Sequence, residues 1–171
     1  MPTLDWIGKS KVVNHHLDVP YKTLERQYSF DKDGQHTEDN GSENMIIHGD
    51  NLEALKSLLP QYEGRIKCIY IDPPYNTGNE KWVYNDLKIK KWLGTVVGQE
   101  GEDLSRHDKW LCMMYPRLKL LHRLMAKDGV IFISIDDNEL YNLKMICDEI
   151  IGSNCFDSNI YWQRTYSTRN D

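Results

Sequence analysis

Residues 68–75 read Cys68-Ile69-Tyr70-Ile71-Asp72-Pro73-Pro74-Tyr75, and the architecture of the chain can be inferred outward from them. The apolar first half predicts a strand, and ligands of open α/β sheets bind at the carboxyl ends of strands, where Asp72 stands. Both prolines have a fixed φ and no backbone N–H, and the residue before each is held extended. The second half is therefore a stiff series of acceptors followed by an aromatic ring. Such a surface suits a flat group that carries an NH2, such as adenine or cytosine.

The apolar pattern around this stretch predicts strands that alternate with helices. Strands are predicted at residues 45–48, 66–72, 129–135 and 160–162, and helices at 51–60, 106–126 and 140–150. Ser105 and Asp108 fit a capping box at the start of the second helix. The alternation predicts an α/β sandwich with a mostly parallel sheet.

Composition divides the chain at residue 44. Residues 1–44 predict an N-terminal extension and polar linker, in which the apolar side chains Trp6, Ile7, Val12 and Val13 pack onto the main body. The polar stretch 31–44 predicts a mobile loop. Residues 45–171 predict the main domain, with a long loop at 73–104 that is functional or mobile.

The bulk properties predict an ordinary cytoplasmic protein. The 171 residues are 40% hydrophobic and 27% charged, which is sufficient for one domain core. No run approaches the roughly 18 apolar residues of a membrane span, so no membrane partner is expected. The net charge of −5 confines any DNA-binding surface to a local patch or to another part of the protein. The four cysteines show no C-x-x-C pairing, which favours reduced core thiols over a metal site.

The string Tyr70-Ile71-Asp72-Pro73-Pro74-Tyr75-Asn76-Thr77-Gly78 resembles the amino-methyltransferases of DNA, in particular the modification subunits of type III restriction systems. Asp in the first motif position points to adenine, because cytosine-N4 enzymes more often carry Ser there. The resemblance implies a Rossmann-like methyltransferase sandwich, incomplete in this chain, with residues 45–171 as the N-terminal portion of the catalytic domain. It also implies S-adenosylmethionine as cofactor, double-stranded DNA with a flipped adenine as substrate, and a restriction subunit as a further partner.

The resemblance assigns catalysis to Asp72, Pro73, Pro74 and Tyr75. The 6-amino nitrogen of adenine is a poor nucleophile because its lone pair is delocalised into the ring. The Asp72 carboxylate and the Pro73 carbonyl would grip its two hydrogens and aim the lone pair at the methyl donor. Tyr75 would stack on the base, and the alternative for this ring is a place in the core.

His48-Gly49-Asp50-Asn51 is the second match to the family. An acid at this position contacts the adenosine portion of the cofactor in these enzymes, which implies cofactor binding by Asp50, Asn51 and Asp72. The alternative is local, because Asp50 followed three residues later by Glu53 is a helix-capping pattern. The two roles can coexist.

Nucleic-acid contacts are predicted for five residues at the end of the Asp72–Tyr75 motif and in the segment after it, namely Tyr75, Asn76, Lys88, Lys90 and Lys91. The lysines are interleaved with aromatic residues, as in a loop that clamps DNA. A solvated loop with a few anchoring aromatic side chains is the alternative.

Asp136 and Asp137 end the third predicted strand. No phosphate-binding G-x-x-x-x-G-K-[ST] loop accompanies them, which favours helix capping by Asp137 over metal or phosphoryl chemistry. The resemblance implies that Asp136 lines the pocket. No residue is assigned to a metal.

The family's glycine-rich loop for the methionine end of the cofactor is missing from this sequence. We therefore expect the chain to be the catalytic half of a longer protein, inactive alone and able to form homo-oligomers through open sheet edges. Two alternatives stay open: an inactive binding or assembly fragment, and an amino-methyltransferase that acts on RNA or protein.

Overall fold

The computed structural model describes residues 3–77, 94–96 and 105–162. The helices and strands follow in the order α1 (Lys9–Val12), α2 (His15–Asp18), β1 (Ser29–Asp31), β2 (Gly34–His36), α3 (Asn51–Tyr62), β3 (Ile66–Ile71), α4 (Arg106–Leu124), β4 (Met125–Ile133) and α5 (Leu140–Ile150). Strands β1 and β2 form an antiparallel hairpin, and β3 and β4 form a parallel pair. Helices and a small parallel sheet are therefore present, and the complete sandwich stays a prediction.

The parallel pair holds the strand that precedes Asp72. Its ladder runs from Cys68 opposite Val130 to Ile71 opposite Ile133. Side chains alternate, since Ile69 is 7% exposed on the packed face whereas Tyr70 is 66% exposed on the other. Strand β3 confirms the prediction at 66–72. Strand β4 confirms the second strand but begins four residues before the predicted 129 and ends two before the predicted 135.

Helix α4 supplies most of the core. Eleven of its residues are buried, among them Trp110, Tyr115 and Leu118 at 1% exposure each. The helix contacts α1, α2, α3 and α5, and its apolar residues fill the space between them, whereas charged residues stand at its two ends. Its bounds agree with the predicted 106–126 to within two residues, and the capping box of Ser105 and Asp108 is confirmed.

The N-terminal residues pack into the same core. Trp6 and Val12 are buried at 8% and 0% exposure, as the sequence predicted, whereas Ile7 is 48% exposed, so its predicted packing is wrong. The Trp6 indole N–H meets Cys112 Sγ at 3.3 Å, and Lys9 pairs with Glu149 of α5 at 2.8 Å. The beginning of the chain is thus tied to two helices of the main domain.

Two predicted strands are wrong. Residues 45–48 have no ladder partner within the parts that the structure describes, and Ile46 is 100% exposed. Residues 160–162 are likewise irregular, and Trp162 is 89% exposed. A short apolar run becomes a strand only when a neighbouring strand accepts its backbone hydrogen bonds.

Two local predictions need correction as well. Helix α3 does not end at Pro60 but continues to Tyr62. The proline removes only one backbone hydrogen bond, and the packing of Leu59, which is 2% exposed, stabilises the last turn in spite of that loss. The stretch 31–44 is not wholly a loop, since the hairpin of β1 and β2 occupies its start. Lys32 and Asp33 form the turn, and Gly34, with φ +116°, begins β2 directly after it.

The cysteines are divided between core and surface. Burial raises the pKa of Cys112 to about 11 and that of Cys147 to about 12, so both thiols stay protonated at neutral pH. Cys68 and Cys155 are exposed, which contradicts a core position for these two. Among residues 3–77, 94–96 and 105–162, no three His, Cys, Asp or Glu side chains are grouped for metal binding. No helix in these ranges has the length and apolar character to cross a bilayer.

Replacement of Gly129 by Ala should destabilise the sheet. A Cβ at Gly129 would lie 2.8 Å from the Ile66 carbonyl oxygen and 2.8 Å from Met125 Cγ. This is where the register shifts between Ile66 and Cys68. We expect the free energy of unfolding to fall by about 1–3 kcal/mol, as for other overpacked sites. Urea denaturation of the intact gene product measures it.

Gly94→Ala is the matched control, because a Cβ at Gly94 meets no atom of residues 3–77, 94–96 and 105–162 within 4 Å. It should leave the unfolding midpoint unchanged or raise it. Equal midpoints for the two variants would show that the register shift at Gly129 leaves room for a side chain.

Candidate active site

The carboxyl ends of β3 and β4 form one edge. The Ser134 N–H donates to the Ile71 carbonyl oxygen at 3.0 Å, which continues the parallel ladder beyond both strands. The hydroxyls of Tyr70 and Ser134 also meet, at 2.8 Å. The loops that begin at Asp72 and at Ile135 therefore leave the sheet side by side, as at a ligand-binding edge.

Asp72 and Tyr75 are brought together at this edge. The Tyr75 hydroxyl donates to Asp72 Oδ1 at 2.8 Å, and Asp72 is exposed. The hydrogen bond to the Asp72 carboxylate raises the pKa of Tyr75 above its usual value, so the phenol stays a donor at neutral pH. No donor from the described ranges meets Asp72 Oδ2. The sequence predicted a role for the Tyr75 ring but not this contact of its hydroxyl.

The two prolines are held by contacts with the core. Pro73 is buried, and the Pro74 carbonyl accepts the Trp110 indole N–H at 2.7 Å. Trp110 belongs to the core face of α4, so this bond ties the loop to the largest packed element. Within the described residues no donor meets the Pro73 carbonyl, which leaves it available for the predicted grip on an amino group.

Asn76 turns the chain inward. It has φ +56°, which is uncommon for a residue other than glycine, and it is 6% exposed. Its side-chain amide donates to the Arg106 carbonyl at 3.1 Å and to Glu139 Oε1. The predicted DNA contact of Asn76 would need this amide to leave both partners.

Glu139 is the centre of a buried polar group that sequence reasoning missed. It is 0% exposed and precedes α5. His107 Nδ1 meets Glu139 Oε1 at 2.7 Å, and Asn142 Nδ2 donates to Oε2 at 2.7 Å. We call Asn76, His107, Glu139 and Asn142 the Glu139 network. Its signal in the sequence is an acid shortly after a strand end, a pattern too common to single this residue out.

The predicted cofactor residues lie at the start of α3. Asp50 caps this helix, since its Oδ1 accepts from the backbone N–H groups of Leu52 at 2.9 Å and Glu53 at 3.2 Å. Asn51 Oδ1 accepts from Arg117 Nε at 2.9 Å. The capping alternative is therefore present in the structure, and a cofactor contact by Asp50 or Asn51 stays a prediction.

The acidic pair after β4 has a different role from the predicted one. Asp136, and not Asp137, organises the turn, because its carboxylate accepts the backbone and side-chain N–H groups of Asn138 at 2.9 Å each. Helix α5 has no side-chain cap, so capping by Asp137 is wrong. Lys88, Lys90 and Lys91, predicted to contact DNA, lie outside the described residues.

Comparison with known proteins identifies a matching family and several relatives. Residues 66–171 match the family described as DNA methylase (N6_N4_Mtase). The chain is 39% identical over 175 residues to the Mod subunit of the type III restriction-modification enzyme EcoP15I of Escherichia coli, with 94% of the chain and 27% of that protein covered. It is 41% identical over 145 residues to the StyLTI Mod subunit of Salmonella typhimurium, with 78% and 22% covered.

A type II enzyme is also similar. The match to methyltransferase M.KpnI of Klebsiella pneumoniae is 39% identical over 115 residues and covers 67% of the chain and 25% of that enzyme. The chain spans about a quarter of the length of these relatives. Because the family match extends over more than half of the chain, the chain belongs to the DNA methylase family.

Proposed function

We propose that this chain is the catalytic portion of a site-specific DNA adenine-N6 methyltransferase of the type III modification kind. The observation that carries the proposal is the position of residues 72–75 at the carboxyl edge of the parallel pair, with Asp72 exposed beside Tyr75. The similar proteins from Escherichia coli and Salmonella typhimurium are named as modification subunits, which supports the assignment. A restriction subunit is then a natural partner, and the cytoplasm the compartment.

The arrangement suits activation of an amino nitrogen. A carboxylate only accepts hydrogen bonds, and Asp72 Oδ2 and the Pro73 carbonyl are two acceptors at one edge. Their grip on the two hydrogens of adenine N6 would favour a tetrahedral nitrogen with a localised lone pair. This is electrostatic preorganisation, and the anchored Pro74 carbonyl keeps the acceptors in place.

Tyr75 offers the base a ring beside these acceptors. The amino group of a base inside a duplex is not presented to an edge of this kind, so the adenine must leave the stack, which requires a few kcal/mol. Stacking on an aromatic ring returns about 1–3 kcal/mol. Tyr75 therefore contributes to holding the flipped base as well as to orienting Asp72.

Acceptor groups at the start of α3 fit the adenosine end of S-adenosylmethionine. Asp50 uses Oδ1 for both capping bonds, and no donor from the described ranges meets its Oδ2, which is free to accept from ribose hydroxyls. Asp50 and, at the strand end, Asp72 are the residues of this chain that would hold the cofactor. When bound, the cofactor supplies a methyl group on a good leaving group.

The test of the function is methyl transfer by the intact gene product. Duplex DNA, RNA and protein are each offered with S-adenosylmethionine labelled in the methyl group, and the modified nucleoside is identified by mass spectrometry. We expect N6-methyladenine in duplex DNA. N4-methylcytosine, or transfer to RNA or protein alone, would contradict the proposal.

Asp72→Ala should abolish methyl transfer without harming the fold. The side chain is exposed, and it bonds to the Tyr75 hydroxyl at the surface and not to the core. We expect the rate to fall by about 10²-fold or more, the size of effect seen when a preorganised group is removed. The melting temperature should stay within a degree or two of wild type. Asp137→Ala is the control, because Asp137 is an exposed acid at the same sheet edge.

Tyr75→Phe should keep most of the activity, whereas Tyr75→Ala should lose it. Phenylalanine retains the ring that stacks on the base, worth about 1–3 kcal/mol, and only the bond to Asp72 is lost. Tyr70→Phe removes another hydroxyl of this edge and controls for the loss of the O–H itself. Single-turnover rates decide the case. If Phe is as damaging as Ala, the hydroxyl and not the ring is needed.

Asp50→Asn should weaken cofactor binding at unchanged stability. Asparagine caps helices as well as aspartate does, whereas Asp50→Ala should lower the free energy of unfolding by about 1 kcal/mol. A loss of the carboxylate should still reduce the affinity for S-adenosylmethionine, as measured by calorimetry on the intact gene product. Unchanged affinity in Asp50→Asn would leave capping as the sole role.

A further inference from the structure

Glu139 is a fully buried charged residue that the reaction above does not use. Isolated charges are rarely buried, because they lose their hydration, so such a group is kept only where it is fully hydrogen-bonded. Glu139 meets that condition. Its carboxylate forms hydrogen bonds with Asn76 and His107 at Oε1 and with Asn142 at Oε2.

The bonding pattern fixes which partners donate. A carboxylate offers acceptors only, so the proton of His107 must be on Nδ1, the atom that faces Glu139. His107 Nε2 is then the acceptor for Arg106 Nε at 3.4 Å. Three donors therefore converge on one acid, and a neutral side chain in place of Glu139 would leave at least one of them without an acceptor.

The three donors come from three different segments. Asn76 lies in the loop after β3, His107 in the first turn of α4 and Asn142 in the first turn of α5. Asn76 also reaches the Arg106 carbonyl at the start of α4. Glu139 thus joins the loop of residues 72–77, which we call the motif loop, to the first turns of α4 and α5.

The loop is held on both sides of Tyr75. On one side, Trp110 holds the Pro74 carbonyl at 2.7 Å. On the other, Asn76 adopts φ +56° with its amide bound inside the Glu139 network. A non-glycine residue keeps such a backbone conformation only where its surroundings over-determine it, and sites of this kind cluster at functional loops. With both neighbours fixed, the Tyr75 ring and the Asp72 carboxylate bonded to it have little freedom to turn.

We propose that Glu139 is a positioning residue that acts through Asn76 to fix the position of the Tyr75 ring beside Asp72. The inference rests on the proposed function, because it concerns the geometry of the site for the amino group. Misplacement of reacting groups by about 1 Å can cost on the order of 10²-fold in rate. Glu139 influences catalysis without touching substrate or cofactor.

The test is a pairwise substitution in the intact gene product. Glu139→Ala removes the acceptor. Asn76→Gly removes the donor and keeps φ +56° accessible, because glycine adopts positive φ freely. We expect each variant to lower kcat by about ten- to a hundredfold and to leave the KM for S-adenosylmethionine within twofold. The kcat of the double variant should be no lower than that of the less active single variant, because the two residues act through one contact.

Leu143→Ala is the stability control. Leu143 is a core residue of the same helix, 6% exposed, and truncation there lowers stability without touching the loop. It should leave kcat of the folded protein unchanged. If Glu139→Ala and Asn76→Gly retain kcat within twofold, or if their losses multiply in the double variant, the positioning role is overturned. Should Glu139→Ala fail to fold, Asn76→Gly with Glu139→Gln completes the same comparison.

A spectroscopic measurement separates this inference from the proposed function. The indole N–H of Trp110 donates to Pro74 in the motif loop, so its hydrogen exchange by NMR reports whether the loop is held. We expect faster exchange in Glu139→Ala and Asn76→Gly, and wild-type exchange in Leu143→Ala. Unchanged exchange in the first two would overturn the inference. Faster exchange in a protein whose wild type does not methylate DNA would instead contradict the proposed function alone.

Discussion

The parallel pairing of β3 with β4 determines where every group of the site lies. Parallel strands end at the same edge, so the loops that follow Ile71 and Ile133 start as neighbours. Such a pair also requires a crossover on one face, and here the crossover includes α4. Helix α4 packs its buried residues into the core, and its N-terminal part contacts the loop after β3 through the Arg106 carbonyl and the Trp110 indole. The helix that fills the core is therefore the one that anchors Pro74 and Asn76.

The elements that could be predicted from the sequence are those whose signal is local. Helix α4 has apolar residues at helical spacing and a capping box, and both bounds were predicted to within two residues. The apolar run at 45–48 gave an equally plain strand signal and still failed. A strand also needs a partner, and no local pattern shows whether a partner is there. Pro60 gave a local signal for a helix end that the structure does not follow, since packing of the adjacent Leu59 outweighs one lost hydrogen bond.

The same division between local and distant signals applies to the site. Residues 72–75 are contiguous, so their stiffness and their acceptors can be read directly from the sequence. Glu139 and Asn76 are 63 residues apart, and neither segment carries a local pattern that indicates the other. Asp50 is ambiguous for a different reason. A carboxylate that caps a helix and one that binds a ribose occupy the same kind of position, and the structure shows only the capping.

Under the proposed function, the bond between Tyr75 and Asp72 would prepare an exposed acid for a weak hydrogen-bond donor. A carboxylate in water is strongly hydrated, and an incoming amino group must displace that water before it gains a bond. Here the Tyr75 hydroxyl already donates to Oδ1, which would hold the carboxylate in one orientation before the base arrives. If the amino group uses Oδ2, both bonds are kept. If it takes Oδ1, one donor replaces another, and the net change in hydrogen bonding is small. In either case the free energy of stacking on Tyr75 is left to hold the flipped base in place.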